Sequence, residues 1–200
     1  MIQLPLRPID VAFSPAVTAA QVRKGSRDMC ARLEMGDRVD DRLAAFIAAR
    51  DSFYLASASV DGQPYIQHRG GPPGFLQVID DRTLGFADFR GNRQFISTGN
   101  FSENPKAFIF LMDYAHRRRI KLWGHVRVVE DDPALTQRLF PAGYRAHADQ
   151  AMLFAIAAWD ANCPQHIPQM FGGADVAAAL AERDTRIAAL EAELEALKTR

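Results

Sequence analysis

The sequence lacks a net charge: 24 Lys and Arg balance 24 Asp and Glu over 200 residues. A general nucleic-acid binder carries a basic excess, so that class is set aside, although a local basic pocket remains compatible with the balance. Cysteine is scarce, with Cys30 and Cys163 far apart and no Cys-x-x-Cys. A redox pair and a zinc knuckle are therefore excluded. Two unpaired, buried thiols in a reducing compartment are expected, with a single disulfide as the formal alternative. No two of the histidines at 68, 116, 125, 147 and 166 stand four residues apart, so no metal site is expected. The longest apolar stretch, Ala151 to Trp159, falls short of the roughly 20 residues that span a bilayer. Met1 to Phe13 has no uninterrupted apolar core of the signal-peptide kind. A cytoplasmic protein with no membrane partner is expected.

What is present is an ordinary globular composition, 48% hydrophobic and 24% charged. Ser14-Pro15 reads as a helix start, with an imperfect helix ending by Gly36. A second helix begins near Asp40, with Leu43, Phe46 and Ile47 on one face. Phe53 to Ser59 and Tyr65 to His68 read as a hairpin about Asp61-Gly62. Gly70 to Gly74 is irregular; Phe75 to Ile79 and Thr83 to Ala87 are strands about the turn Asp80-Asp81. Gly91 to Gly99 is a loop entering a short helix. Ala107 to Met112 is a buried strand, Arg119 to Val129 a long one broken at Gly124, and Pro133 opens a helix. Short antiparallel strands flanked by helices predict an α+β domain around a small barrel.

Ala174 to Arg200 contains neither Gly nor Pro. Leu180, Ile187, Leu190, Leu194 and Leu197 mark a heptad seam, interrupted by Arg183. Two readings stand: an amphipathic helix packed on its own domain, or a short coiled coil with a second chain. The division expected is a helical segment over 1–39, the barrel domain over 40–172 and this helix over 174–200.

Three segments carry chemistry. Gln67-His68-Arg69-Gly70-Gly71 brings polar and cationic side chains to a strand end beside a glycine pair whose bare backbone suits a flat ligand; the plain alternative is a strand end with a turn. Asp88-Phe89-Arg90-Gly91-Asn92-Arg93-Gln94 at a helix start suits an anion, because helix N–H groups point outward and an arginine fork matches phosphate oxygens; the alternative is a solvated polar turn. Along Arg119 to Trp123, alternation puts Ile120 and Leu122 on the core face and Arg119, Lys121 and Trp123 on the other. Dinucleotide-fold, phosphate-loop, nucleophile-elbow and zincin motifs are missing, and no catalytic acid, base or nucleophile can be assigned.

In order, Phe53 to Ser59, Asp61-Gly62-Gln63-Pro64-Tyr65, Gly91-Asn92-Arg93-Gln94, Asn104-Pro105-Lys106 and Arg119 to Gly124 resemble the pyridoxamine 5′-phosphate oxidase-like family over roughly Asp40 to Pro133. The resemblance implies a Greek-key-like, FMN-binding split β-barrel that forms a homodimer with FMN in a cleft between subunits. It implies a flavin-dependent oxidoreductase acting on a small molecule, with NAD(P)H as a possible donor. The alternative on the same barrel is a non-catalytic carrier of flavin, haem or deazaflavin. Cofactor contacts are then implied for Gln67, His68, Arg69, Gly70, Gly71, Asp88, Asn92, Arg93, Gln94 and Arg119. Arg69 falls on a phosphate arginine of the family and Arg119 on its ring-side glutamine. Asn92 and Gln94 replace a serine and a lysine of its phosphate loop, and Arg69 or Arg90 is expected to make up the missing cation. The family's C-terminal Arg-x-His has no counterpart, which argues against pyridoxamine phosphate itself as substrate.

Overall fold

A computed structural model of the chain describes residues 7–162 and 164–199. Cys163, one of the two expected thiols, lies outside the described residues. Contacts divide the chain into two units, one built from 1–112 and 119–163, the other from 113–118 and 164–200.

The first unit opens with α1 (Pro8–Ala12), α2 (Pro15–Arg23), α3 (Arg27–Ala31) and α4 (Asp41–Ala48). Ser14 caps α2 by accepting from the Val17 N–H, and Asp40 caps α4 by accepting from the Leu43 N–H at 2.7 Å. The single imperfect helix expected before Gly36 is two helices, because Gly25 takes a left-handed φ of 71° between them. Cys30 in α3 is unpaired and half-buried rather than buried. Then come β1 (Ser52–Ala58), β2 (Pro64–Gly70), β3 (Gln77–Val78), β4 (Thr83–Phe89), α5 (Ile96–Glu103), β5 (Lys106–Asp113), β6 (Arg118–Val129), α6 (Pro133–Leu139) and β7 (Ala148–Asn162). The strands form one sheet in the order β2-β1-β5-β6-β7-β4-β3. This is the expected α+β fold with a split antiparallel barrel. Phe53, Phe75, Phe86 and Phe154 are fully buried at its centre, with Phe53 stacked on Phe75 and edge-on to Phe86.

Two further expectations are corrected and one strand is added. Phe75 to Ile79 is a strand only at Gln77–Val78; Phe75 and Leu76 are core side chains on irregular backbone. β6 is not broken at Gly124. It continues through a register shift there, and a Cβ on Gly124 would lie 2.2 Å from the Ala155 carbonyl oxygen, so only glycine admits the close pass of β7. The largest omission is β7 itself, which joins β6 to β4 in the middle of the sheet. Its alanines, methionine and leucine are good helix formers, and burial on alternating and adjacent positions hides the period of two.

The second unit holds the turn between β5 and β6 and α7 (Gly173–Lys198). In it the Gln169 amide donates to the Ala115 carbonyl at 2.8 Å. Every described residue from Gly173 to Thr199 is exposed. No helix among the described residues is long and apolar enough to cross a membrane.

Candidate functional site

Strand alternation sorts β2. Tyr65, Gln67 and Arg69 pair with Ser57, Leu55 and Phe53 of β1, whose side chains are buried, so they face inward from the sheet edge. Ile66 and His68 face the other way; the His68 ring lies edge-on to Tyr54 at 5.5 Å. Across the barrel's gap, β4 carries Asp88 one residue before its end, paired with Gln150 of β7. A register shift follows Asp88. The Arg69 guanidinium meets the Asp88 carboxylate, joining the edge strand β2 to β4 and closing the split. The Gln150 amide donates to Asp88 Oδ2 at 2.9 Å and to Thr98 Oγ1 at 2.8 Å, tying in the first turn of α5. Ser97 donates to Gln67 Oε1 at 3.1 Å.

This network is buried: Asp88 is 7% exposed, and the Arg69 side chain 12%. Burial pushes the Asp88 carboxyl above its ordinary value, a push that outweighs the lowering by Arg69 and Gln150. The Arg69 Nε–H is buried without a hydrogen-bond partner.

Beside the network lies a cavity of about 40 Å³, walled by Tyr65, Gln67, Arg69 and Asp88 on one side and the 91–98 segment on the other. That segment is unusual backbone. Arg93 and Phe95 both take left-handed φ angles, 57° and 52°, which cost non-glycine residues energy. Phe95 is the N-cap of α5 and gives it no side-chain cap, so the first-turn N–H groups keep their donor capacity. Asn92 Oδ1 accepts from the Gln94 N–H at 3.2 Å and shapes the loop. Among the described residues Arg93 has no acid within ion-pair distance; its guanidinium lies 5.6 Å from the Phe95 ring centroid.

Six of the ten residues named from the sequence thus converge: Gln67, Arg69, Asp88, Asn92, Arg93 and Gln94 all line the cavity. His68, Gly70, Gly71 and Arg119 do not. Gly71 is no bare platform, because a Cβ there would meet the Phe75 and Phe89 rings at 2.7 to 2.9 Å; its freedom serves core packing. Arg119 stands on β6 with a buried, unpartnered Nε–H. On the same face Lys121 pairs with Asp160 at 2.9 Å and lies 5.3 Å from the Trp123 ring. Arg90, expected to supply a spare cation, is instead held by Asp149 at 2.7 Å. The sequence reading missed Ser97, Thr98 and Gln150. The hydroxyls had a signal, two polar residues in a helix's first turn. Gln150 had none without β7.

The family model for pyridoxamine 5′-phosphate oxidase matches residues 39–163. The chain belongs to that family. No curated protein matches it in sequence. Among solved structures, HupZ of group A Streptococcus is similar at 13% identity and a TM-score of 0.51, covering 66% of this chain and 99% of HupZ. A putative pyridoxamine 5′-phosphate oxidase of Lactobacillus delbrueckii has 16% identity and a TM-score of 0.49, covering 62% of this chain and 95% of its own. At such identities the likeness to HupZ is one of fold. In this pyridoxamine 5′-phosphate oxidase family member the barrel gap, closed by Arg69 and Asp88, is what positions the cavity.

Proposed function

We propose that this family member binds FMN through the Arg93 cavity and serves as a cytoplasmic, flavin-dependent oxidoreductase for a small molecule. The observation that carries the reading is the combination, at one cavity, of an uncompensated arginine, two left-handed residues and an uncapped helix start. Those features suit a dianionic phosphate. Arg93 would grip its oxygens, the Ile96 and Ser97 N–H groups of the uncapped helix start would donate to it, and Arg69 would add positive potential while staying paired with Asp88. The unpaired Cys30 thiol accords with a reducing compartment.

Size supports a second copy at the site. About 40 Å³ accepts a phosphate, whereas pockets for whole ligands of this class run to roughly 300–1,000 Å³. The ring would therefore lie outside the cavity, covered by a homodimer partner. An apolar hollow of Tyr54, Ala56, Ile66, Phe108 and Phe110 on the sheet's outer face offers surface for such an interface. The bound flavin supplies the two-electron chemistry, and NAD(P)H is the donor proposed. The chain's own part is to hold the phosphate, exclude water and set the potential around the ring. Purified full-length protein is expected to be yellow or to take up added FMN with quenched flavin fluorescence. Protein that is colourless and takes up none overturns the reading.

One observation favours the carrier alternative: Asp88, the buried carboxyl of the cavity, is occupied by Arg69 and Gln150 and so does not serve as a free proton carrier. Anaerobic NADH and NADPH separate the two. Rapid bleaching of bound flavin supports the enzyme; inertness to both supports a flavin carrier.

A further inference from the structure

α7 follows a strict alternation of steps of four and three through Val176, Leu180, Arg183, Ile187, Leu190, Leu194 and Leu197. The six apolar members are between 45% and 67% exposed. A stripe of large apolar side chains on a helix of 26 residues is left wet along its whole length. Such a stripe marks a surface made for a partner.

The charges beside the stripe choose the partner. Leu180, Ile187 and Leu194 take the a positions and Val176, Arg183, Leu190 and Leu197 the d positions. Arg186 and Glu193 then occupy g, while Asp184, Glu191 and Lys198 occupy e. With a second α7 laid parallel and in register, each g side chain faces the partner's e side chain of the next heptad. Arg186 meets the partner's Glu191, and Glu193 meets the partner's Lys198, so both contacts are attractive. Laid antiparallel with Leu180 opposite the partner's Leu197, Arg186 would still meet the partner's Glu193, but Asp184 would meet the partner's Glu191, two like charges. Arg183, alone among the seam residues in being polar, stands at d beside the e position of the partner's Asp184. A single polar layer of that kind fixes register and limits the strand number.

We propose that α7 pairs with α7 of a second copy of this chain as a parallel, in-register two-stranded coiled coil. The proposal concerns α7 alone and stands or falls separately from flavin binding. The pairing joins the second unit of one copy to that of another, so the protein carries two self-association surfaces of different kinds if the barrel also dimerises.

The test uses the full chain with Cys30→Ser and Cys163→Ser. Leu190→Cys, on the seam, is compared with Ala192→Cys, which points away from it, in a thiol–disulfide buffer. Interchain disulfide at 190 is expected to exceed that at 192 by about tenfold or more, because only the seam position faces its own counterpart. Adding Glu191→Arg is expected to lower crosslinking by about twofold to fivefold, and the double change Arg186→Glu with Glu191→Arg to restore it. Equal crosslinking at the two positions overturns the proposal. So does a gain on Glu191→Arg, which relieves the like-charge contact of the antiparallel form. Spin labels on Ala178→Cys and Thr185→Cys leave the seam untouched. The same defined separation at both positions supports the proposal; unequal separations, or no defined one, overturn it.

Discussion

Two arginines face one cavity in opposite settings. Arg69 is buried, paired with Asp88 and knitted through Gln150 into α5. Arg93 rides a strained exposed loop with no acid within ion-pair distance among the described residues. A buried charge must be compensated inside the protein, so the fold uses Arg69 to close its own gap. A charge at the surface can wait for compensation from outside. Cations at one cavity therefore divide into one tied into the fold and one with no acid partner among the described residues, and sequence spacing does not tell them apart.

That division is broken most severely at Asp88. Asp88→Ala strands the Arg69 guanidinium and is expected to cost about 3–5 kcal/mol in urea unfolding, with any flavin binding lost along with the site. Arg93→Ala is expected to do the reverse. It should lower FMN affinity by about 10- to 100-fold in a fluorescence titration, the loss of one charged hydrogen bond, and shift stability by no more than about 0.5 kcal/mol. If Arg93→Ala unfolds the protein, or Asp88→Ala leaves it intact, the contrast fails.

A finer probe is pH. Burial raises the Asp88 carboxyl above its ordinary 3.8, so the folded state binds the proton more tightly than the unfolded chain. Its contribution to stability is full below the unfolded value and is lost as pH rises through the folded one. The difference in urea midpoint between wild type and Asp88→Asn should therefore change across that window and level off above it; a constant difference contradicts the raised value. The smallest effect expected is at the strained loop. Arg93→Gly should be more stable than Arg93→Ala by about 0.5–1 kcal/mol, reversing the usual order, because glycine adopts the left-handed angle freely.

Local features of the fold were legible along the chain. Ser14 and Asp40 announce their helices, Asp61-Gly62 its hairpin, and alternation in β2 and β6 assigns each side chain a face. The ordered segments also disclosed the family and the loop around Arg93. β7 stayed hidden because its less-buried positions, Leu153, Ala155 and Ala157, are as apolar as its buried ones, so hydropathy shows no period of two, and its residues favour helix on their own. With β7 unseen, Gln150 could not be placed beside Asp88, and Asp88 could not be recognised as the partner of Arg69.

The amino-acid order alone determined the capped helices, the hairpin, the polar loop around Arg93 and the heptad seam of α7, because each depends on residues within a few positions of one another. Which arginine is bound up and which is free, and which glycine packs core rather than ligand, only the tertiary structure decided. Those outcomes hang on burial and on contacts such as Arg69 with Asp88 and Asp88 with Gln150, between strands that meet only when the sheet is assembled.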